Sequence, residues 1–92
     1  MDMKTKINKE VELVAKELKT TEYLDRDNFI EDRLSDFVAD NSYEIVQALS
    51  NRGVTGLNNA NNHIVDYIDV ANLISDLAAK LMIREVLKIY NN

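Results

Sequence analysis

Residues 70–90, VANLISDLAAKLMIREVLKIY, decide the fold of this chain. Fourteen of these twenty-one residues are apolar. Polar residues recur through the same segment at steps of three or four, which places them on one narrow line of an α-helix. A helix that is apolar around most of its circumference must be surrounded, so this segment is predicted to be the central helix of the protein. The polar line consists of Asp69, Asn72, Asp76, Lys80, Arg84 and Lys88.

The predicted C-terminal helix is longer than a compact domain of this size. The pattern predicts helix from about Asn58 to Tyr90, which would extend roughly 50 Å if it were unbroken. A compact domain of this size is only about 32 Å across. Either the helix breaks near residues 61–66, or its end projects and pairs with another chain. We predict a homodimer in which self-association uses Leu73, Leu77, Leu81, Ile83, Leu87 and Tyr90.

Three shorter amphipathic helices are predicted before it, over residues 3–19, 27–40 and 42–51. The segment Asp40-Asn41-Ser42 separates the last two, and Asn41 with Glu44 has the spacing of a capping box. The sequence therefore predicts an all-α single domain over residues 1–92, a small four-helix bundle-like fold with a long, mostly apolar C-terminal helix. The predicted core positions are Ile7, Val11, Val14 and Leu18, then Ile30, Leu34, Phe37 and Val38, and finally Ile45, Val46 and Leu49.

The residue types present argue against most catalytic chemistry. The chain has no cysteine and a single histidine, His63, which excludes thiol catalysis, cysteine-based metal sites and any site that needs two imidazoles. His63 has Asp66 and Tyr67 three and four residues later, a spacing at which side chains meet on a helix. No nucleophile lies in a suitable motif, so we expect a surface or capping histidine. We predict no enzyme, no metal and no cofactor.

Charge is concentrated in one segment. The net charge is −5, and residues 21–50 carry eight acidic side chains against Arg26 and Arg33, a local net charge of −6. This acidity has three interpretations: a solvated face that keeps the protein in solution, an anionic surface that docks on a basic partner, or, least favoured, a site for a divalent ion. A nucleic-acid-binding protein is one such partner, because carboxylates can lie where phosphates would. The predicted partner-binding residues are Glu31, Asp32, Asp36, Asp40 and Glu44.

An alternative hypothesis is that the protein is a sequence-specific DNA-binding dimer that uses residues 52–63. The stretch Arg52-Gly53-Val54-Thr55 lies between two predicted helices, as in a helix-turn-helix, and the asparagines after it can contact adenine edges. However, residues 57–66 contain no lysine or arginine to neutralise phosphates. Nucleic acid is therefore a disfavoured partner. The basic residues Lys80, Arg84 and Lys88 are instead expected to pair with the acidic second helix, within the chain or across a dimer.

Targeting signals are not evident in the sequence. The N-terminal residues lead into a charged helix rather than an apolar leader, and no run approaches the roughly 20 apolar residues of a membrane span. We expect a soluble, cytoplasmic protein without a membrane partner. Eleven asparagines with many lysines and isoleucines are typical of AT-rich coding sequence, as in a phage, a plasmid or a low-GC bacterium. The expected function is that of a regulator, inhibitor or assembly adaptor, or else of a purely structural oligomer.

Overall fold

The computed structural model describes residues 2–20, 25–50 and 67–92. These residues form three α-helices and no strand: α1, Met3–Thr20; α2, Arg26–Leu49; and α3, Tyr67–Tyr90. The predicted all-α class is confirmed for this part of the chain. The C-terminal helix is described from Tyr67 onward, so its continuity with residues 58–66 lies outside the described residues.

Helix α1 begins at an aspartate cap. The backbone amide of Thr5 donates a hydrogen bond of 2.8 Å to Oδ1 of Asp2, which satisfies one of the unpaired amides of the first turn. This amide, and then the Thr5 hydroxyl, lower the pKa of Asp2 below its ordinary value of 3.8. The pKa of Asp2 is lower in the folded chain than in the unfolded chain. The cap therefore stabilises the helix fully above the unfolded value of 3.8, and this contribution is lost as the pH falls through the lower folded pKa.

Helix α2 is one element where two were predicted. The prediction of four helices was wrong here, because the expected break at residues 40–42 is a kink inside α2, where Asn41 has φ −133° and ψ 25°. The Asn41 side-chain amide donates to the carbonyl of Phe37 at 3.0 Å, and the Ser42 hydroxyl donates to the carbonyl of Val38 at 2.5 Å. Side chains that bond back to the preceding turn bend a helix without ending it. Asn41 therefore forms a bend rather than the N-cap of a new helix.

The true start of α2 has its own cap. Asp25 adopts an extended conformation, and its side chain accepts a hydrogen bond of 3.1 Å from the backbone amide of Asn28. The sequence pattern predicts a helix start close to this point, at residue 27. The observed start is one residue earlier, which is within the usual variation of helix boundaries.

The helices run up, down and up. Glu17, near the end of α1, contacts Arg33 in the first half of α2, while Met3 lies beside Gln47 near the end of α2. These two helices are therefore antiparallel. Arg26 at the start of α2 stacks over the ring of Tyr90 at the end of α3. Hence α2 and α3 are antiparallel as well, and α3 packs against both other helices.

The core lies between the three helices and is entirely apolar in the described residues. The four core positions predicted in α1 are buried. In α2, Phe29, Phe37 and Leu49 are half-buried at the edge of the core. The members of the polar line between Asn72 and Lys88 are all exposed on α3, as their spacing predicted. The buried residues are Ile7, Val11, Val14, Ala15, Leu18, Ile30, Leu34, Val38, Ile45, Val46, Ile74, Ala78, Leu81, Met82 and Val86.

A matched pair of leucine substitutions tests this core. Leu34 is 1% exposed and Leu13 is 52% exposed. We expect Leu34→Ala to lower the free energy of unfolding by about 2–5 kcal/mol, because it removes buried apolar contacts and leaves a cavity. The same change at Leu13 should cost about 0.5 kcal/mol or less. Urea denaturation followed by circular dichroism measures both, and equal costs at the two sites would contradict this packing.

Candidate functional site

Three carboxylates form an exposed row on α2. Asp32, Asp36 and Asp40 follow one another at four-residue intervals and are all exposed, while Leu34 and Val38 of the same helix are buried. At a rise of about 1.5 Å per residue, this row is roughly 12 Å long. We call these three residues the acidic stripe. It ends immediately before the kink at Asn41.

The other two predicted partner-binding residues do not extend this row. Glu31 is exposed, but it precedes Asp32 by one residue, about 100° around the helix. Glu44 is exposed beyond the kink, at a shallow groove of about 440 Å³ that Met3, Tyr43, Gln47 and Ala48 also line. The structure therefore brings three of the five predicted residues together and places the other two to the side and past the bend.

Both arginines of α2 are engaged by other helices. Nε of Arg33 donates to Oε2 of Glu17 at 2.7 Å, and Nη2 donates to Oε1 at 2.5 Å. This bidentate ion pair links α1 to α2. The Arg26 guanidinium lies 4.7 Å from the centre of the Tyr90 ring on α3, within the range of a cation–π interaction. Within the described part of the chain, the acidic stripe forms no ion pair.

A row of opposite charge lies on α3. Lys80, Arg84 and Lys88 are exposed, and we call them the basic line. Nζ of Lys88 is 3.1 Å from Oε2 of Glu85, one turn away. The expected pairing of this line with the acidic helix inside the chain is not formed among the described residues. Each row lies on the exposed side of its own helix, away from the buried residues.

The residues predicted to drive self-association are largely covered by the chain itself. Leu81 is 7% exposed and belongs to the core. Leu77, Ile83, Leu87 and Tyr90 are half-buried and pack against that core. Leu73 is half-buried too. Self-association through this set stays a prediction, with less apolar surface available for it than the sequence pattern alone indicated.

Several sequence expectations concern residues outside the described ranges. His63, Asp66 and the DNA-contacting region 52–63 are among them. In residues 2–20, 25–50 and 67–92, no group of three or more acidic or histidine side chains is arranged to hold a metal ion. The same residues contain no helix long and apolar enough to cross a membrane.

Comparison with known proteins adds no family to this description. No protein-family model, no curated protein and no solved structure matches the chain.

The interhelical ion pair supplies a test of the charge arrangement. We expect a double-mutant cycle with Glu17→Gln and Arg33→Gln to give a coupling energy of about 0.5–1 kcal/mol at low ionic strength, since both side chains are half exposed. High salt should reduce this coupling. The measurement is urea denaturation of the four proteins in both buffers. A coupling energy of zero at low salt would show that the ion pair between Arg33 and Glu17 does not stabilise the fold.

Proposed function

We propose that this chain is a non-enzymatic, acidic helical protein that acts by binding another protein through the acidic stripe. The observation that carries the proposal is the lack of an internal use for these charges. The three carboxylates are exposed and unpaired within the described residues, while the arginines of the same helix contact α1 and α3. Such a protein would serve as a regulator, an inhibitor or an assembly adaptor.

The partner's chemistry follows from the stripe. A row of like charges repels itself, by a few tenths of a kcal/mol for each pair one turn apart. A lysine- and arginine-rich surface relieves that repulsion and is drawn to the stripe over a distance by the local field. A surface of this kind also binds phosphates, so the stripe would compete with nucleic acid for it. The proposal requires no cofactor and no membrane, and it is compatible with action in the cytoplasm.

The alternative of a DNA-binding dimer has less support. The region that would read the bases, residues 52–63, lies outside the described residues. The exposed carboxylates of α2 would repel a phosphate backbone. Weak binding to pooled duplex DNA at low salt, measured by fluorescence anisotropy, would nevertheless reveal such an activity.

A fluorescent peptide rich in lysine and arginine is a suitable probe of the proposed surface. We expect the unmodified chain to bind it in an anisotropy titration, with an affinity that falls as salt is raised. Neutralising the stripe with Asp32→Asn, Asp36→Asn and Asp40→Asn should weaken binding about tenfold, which corresponds to about 0.5 kcal/mol for each exposed charge pair.

A control with the same change in net charge separates the stripe from acidity in general. The variant Glu10→Gln, Glu12→Gln and Asp76→Asn also removes three negative charges, but from α1 and α3. It should bind the peptide nearly as well as the unmodified chain. The proposal fails if the two triple variants lose the same affinity, or if the unmodified chain does not bind the peptide even at low salt.

A further inference from the structure

The exposed surfaces of α2 and α3 carry rows of charge that match in spacing and are opposite in sign. The acidic stripe and the basic line each place three charges at four-residue intervals on one side of a helix. Both rows are exposed, and they do not pair with each other within the described residues. Among the described residues, neither row forms an ion pair with another helix, and Lys88 pairs only with Glu85 of its own helix.

We propose that a second copy of this chain is a partner of the acidic stripe, with the stripe of each protomer lying along the basic line of the other. This inference rests on the proposed function, because it takes the stripe as a binding surface, and it names the basic surface that occupies it. A two-fold axis would form the contact twice, since each protomer supplies one stripe and one line.

The charges near the rows favour one relative direction of the two helices. If α2 runs parallel to the partner's α3, the pairs are Asp32 with Lys80, Asp36 with Arg84 and Asp40 with Lys88. Asp76, the next position of the α3 row, then lies opposite the neutral Asn28. If the helices run antiparallel, Asp76 lies instead toward the kinked end of α2, which carries the acidic Glu44.

The parallel arrangement is also compatible with symmetry. Within one chain, α2 and α3 are antiparallel. An α2 that runs parallel to the partner's α3 is therefore antiparallel to the partner's α2. This relation is the one produced by a two-fold axis perpendicular to the helices, so both copies of the contact form in the same dimer.

The nature of the contact determines how the association responds to solution conditions. Exposed ion pairs contribute little individually and are screened by salt. We expect a weak dimer that dissociates at high ionic strength. A dimer built on the apolar residues of α3 would instead persist or strengthen when salt is added, because salt does not screen apolar contacts.

Light scattering on the unmodified chain and two reversed variants tests the inference. At high protein concentration and low salt, the unmodified chain should approach twice its 10.5 kDa. High salt should return it to the mass of one chain. The stripe-reversed variant and the line-reversed variant should each stay at 10.5 kDa alone, because both rows then carry the same sign. These variants are Asp32→Lys, Asp36→Lys and Asp40→Lys for the stripe, and Lys80→Glu, Arg84→Glu and Lys88→Glu for the line.

Mixing the two reversed variants tests directly whether the rows pair between protomers. In an equal mixture, every reversed row meets a row of opposite sign on the other variant, so the mass should rise again toward that of a dimer. A folding defect cannot produce this rescue. Circular dichroism of each variant verifies that the helices are retained. As a matched control with the same charge change as the line reversal, Lys4→Glu, Lys6→Glu and Lys9→Glu on α1 should leave the unmodified association in place.

Three results would overturn the inference. They are an unmodified chain that stays at the mass of one molecule at every concentration, a dimer whose mass does not depend on salt, and a mixture of reversed variants that fails to associate. None of these decides the proposed function, which fails only if the stripe makes no specific contribution to binding the basic peptide. The two failures are therefore distinguishable.

Discussion

The burial of three apolar helix faces in one core is the constraint on which the rest of the structure depends. All fifteen buried residues in the described ranges are apolar. Because an unpaired charge is costly to bury, the charged groups of these helices are confined to the surface. The core therefore determines which side chains remain at the surface, and no polar side chain is buried among the described residues.

The same constraint explains the separation of charge. Leu34 and Val38 turn one side of α2 inward, which directs the aspartates on the other side outward. The basic residues of α3 are turned outward in the same way by the buried Ile74, Ala78 and Met82. Packing thus leaves two complementary rows exposed on two helices of one molecule. This arrangement is the common basis of the proposed function and of the inferred self-association.

The helical faces could be predicted from the sequence because they depend on local spacing. The buried positions of α1 and the exposed basic line of α3 both follow from intervals of three and four residues. The kink was harder to predict, because the segment Asp40-Asn41-Ser42 has the composition of a helix break. Here the side chains of Asn41 and Ser42 bond to the preceding turn, and Val38 and Ile45 on either side are buried in the same core. Tertiary packing therefore overrides the local signal.

The long-range contacts had no sequence signal. Glu17 and Arg33 are sixteen residues apart, and their pairing depends on the alignment of two helices. The position of Arg26 over Tyr90 depends in the same way on how α2 and α3 align. For the candidate site, the sequence predicted the three aspartates of the stripe as a group, whereas the bend that separates Glu44 from them required the structure.

The most direct test of this account is the free energy of unfolding of the variant Asp32→Asn, Asp36→Asn and Asp40→Asn, measured at low protein concentration. If the stripe has no role in the fold, the variant should be as stable as the unmodified chain, or more stable by up to about 1 kcal/mol, since two like-charge pairs are removed. A loss of more than about 1 kcal/mol would show that the carboxylates stabilise the fold. It would contradict the claim that the fold leaves them available for a partner.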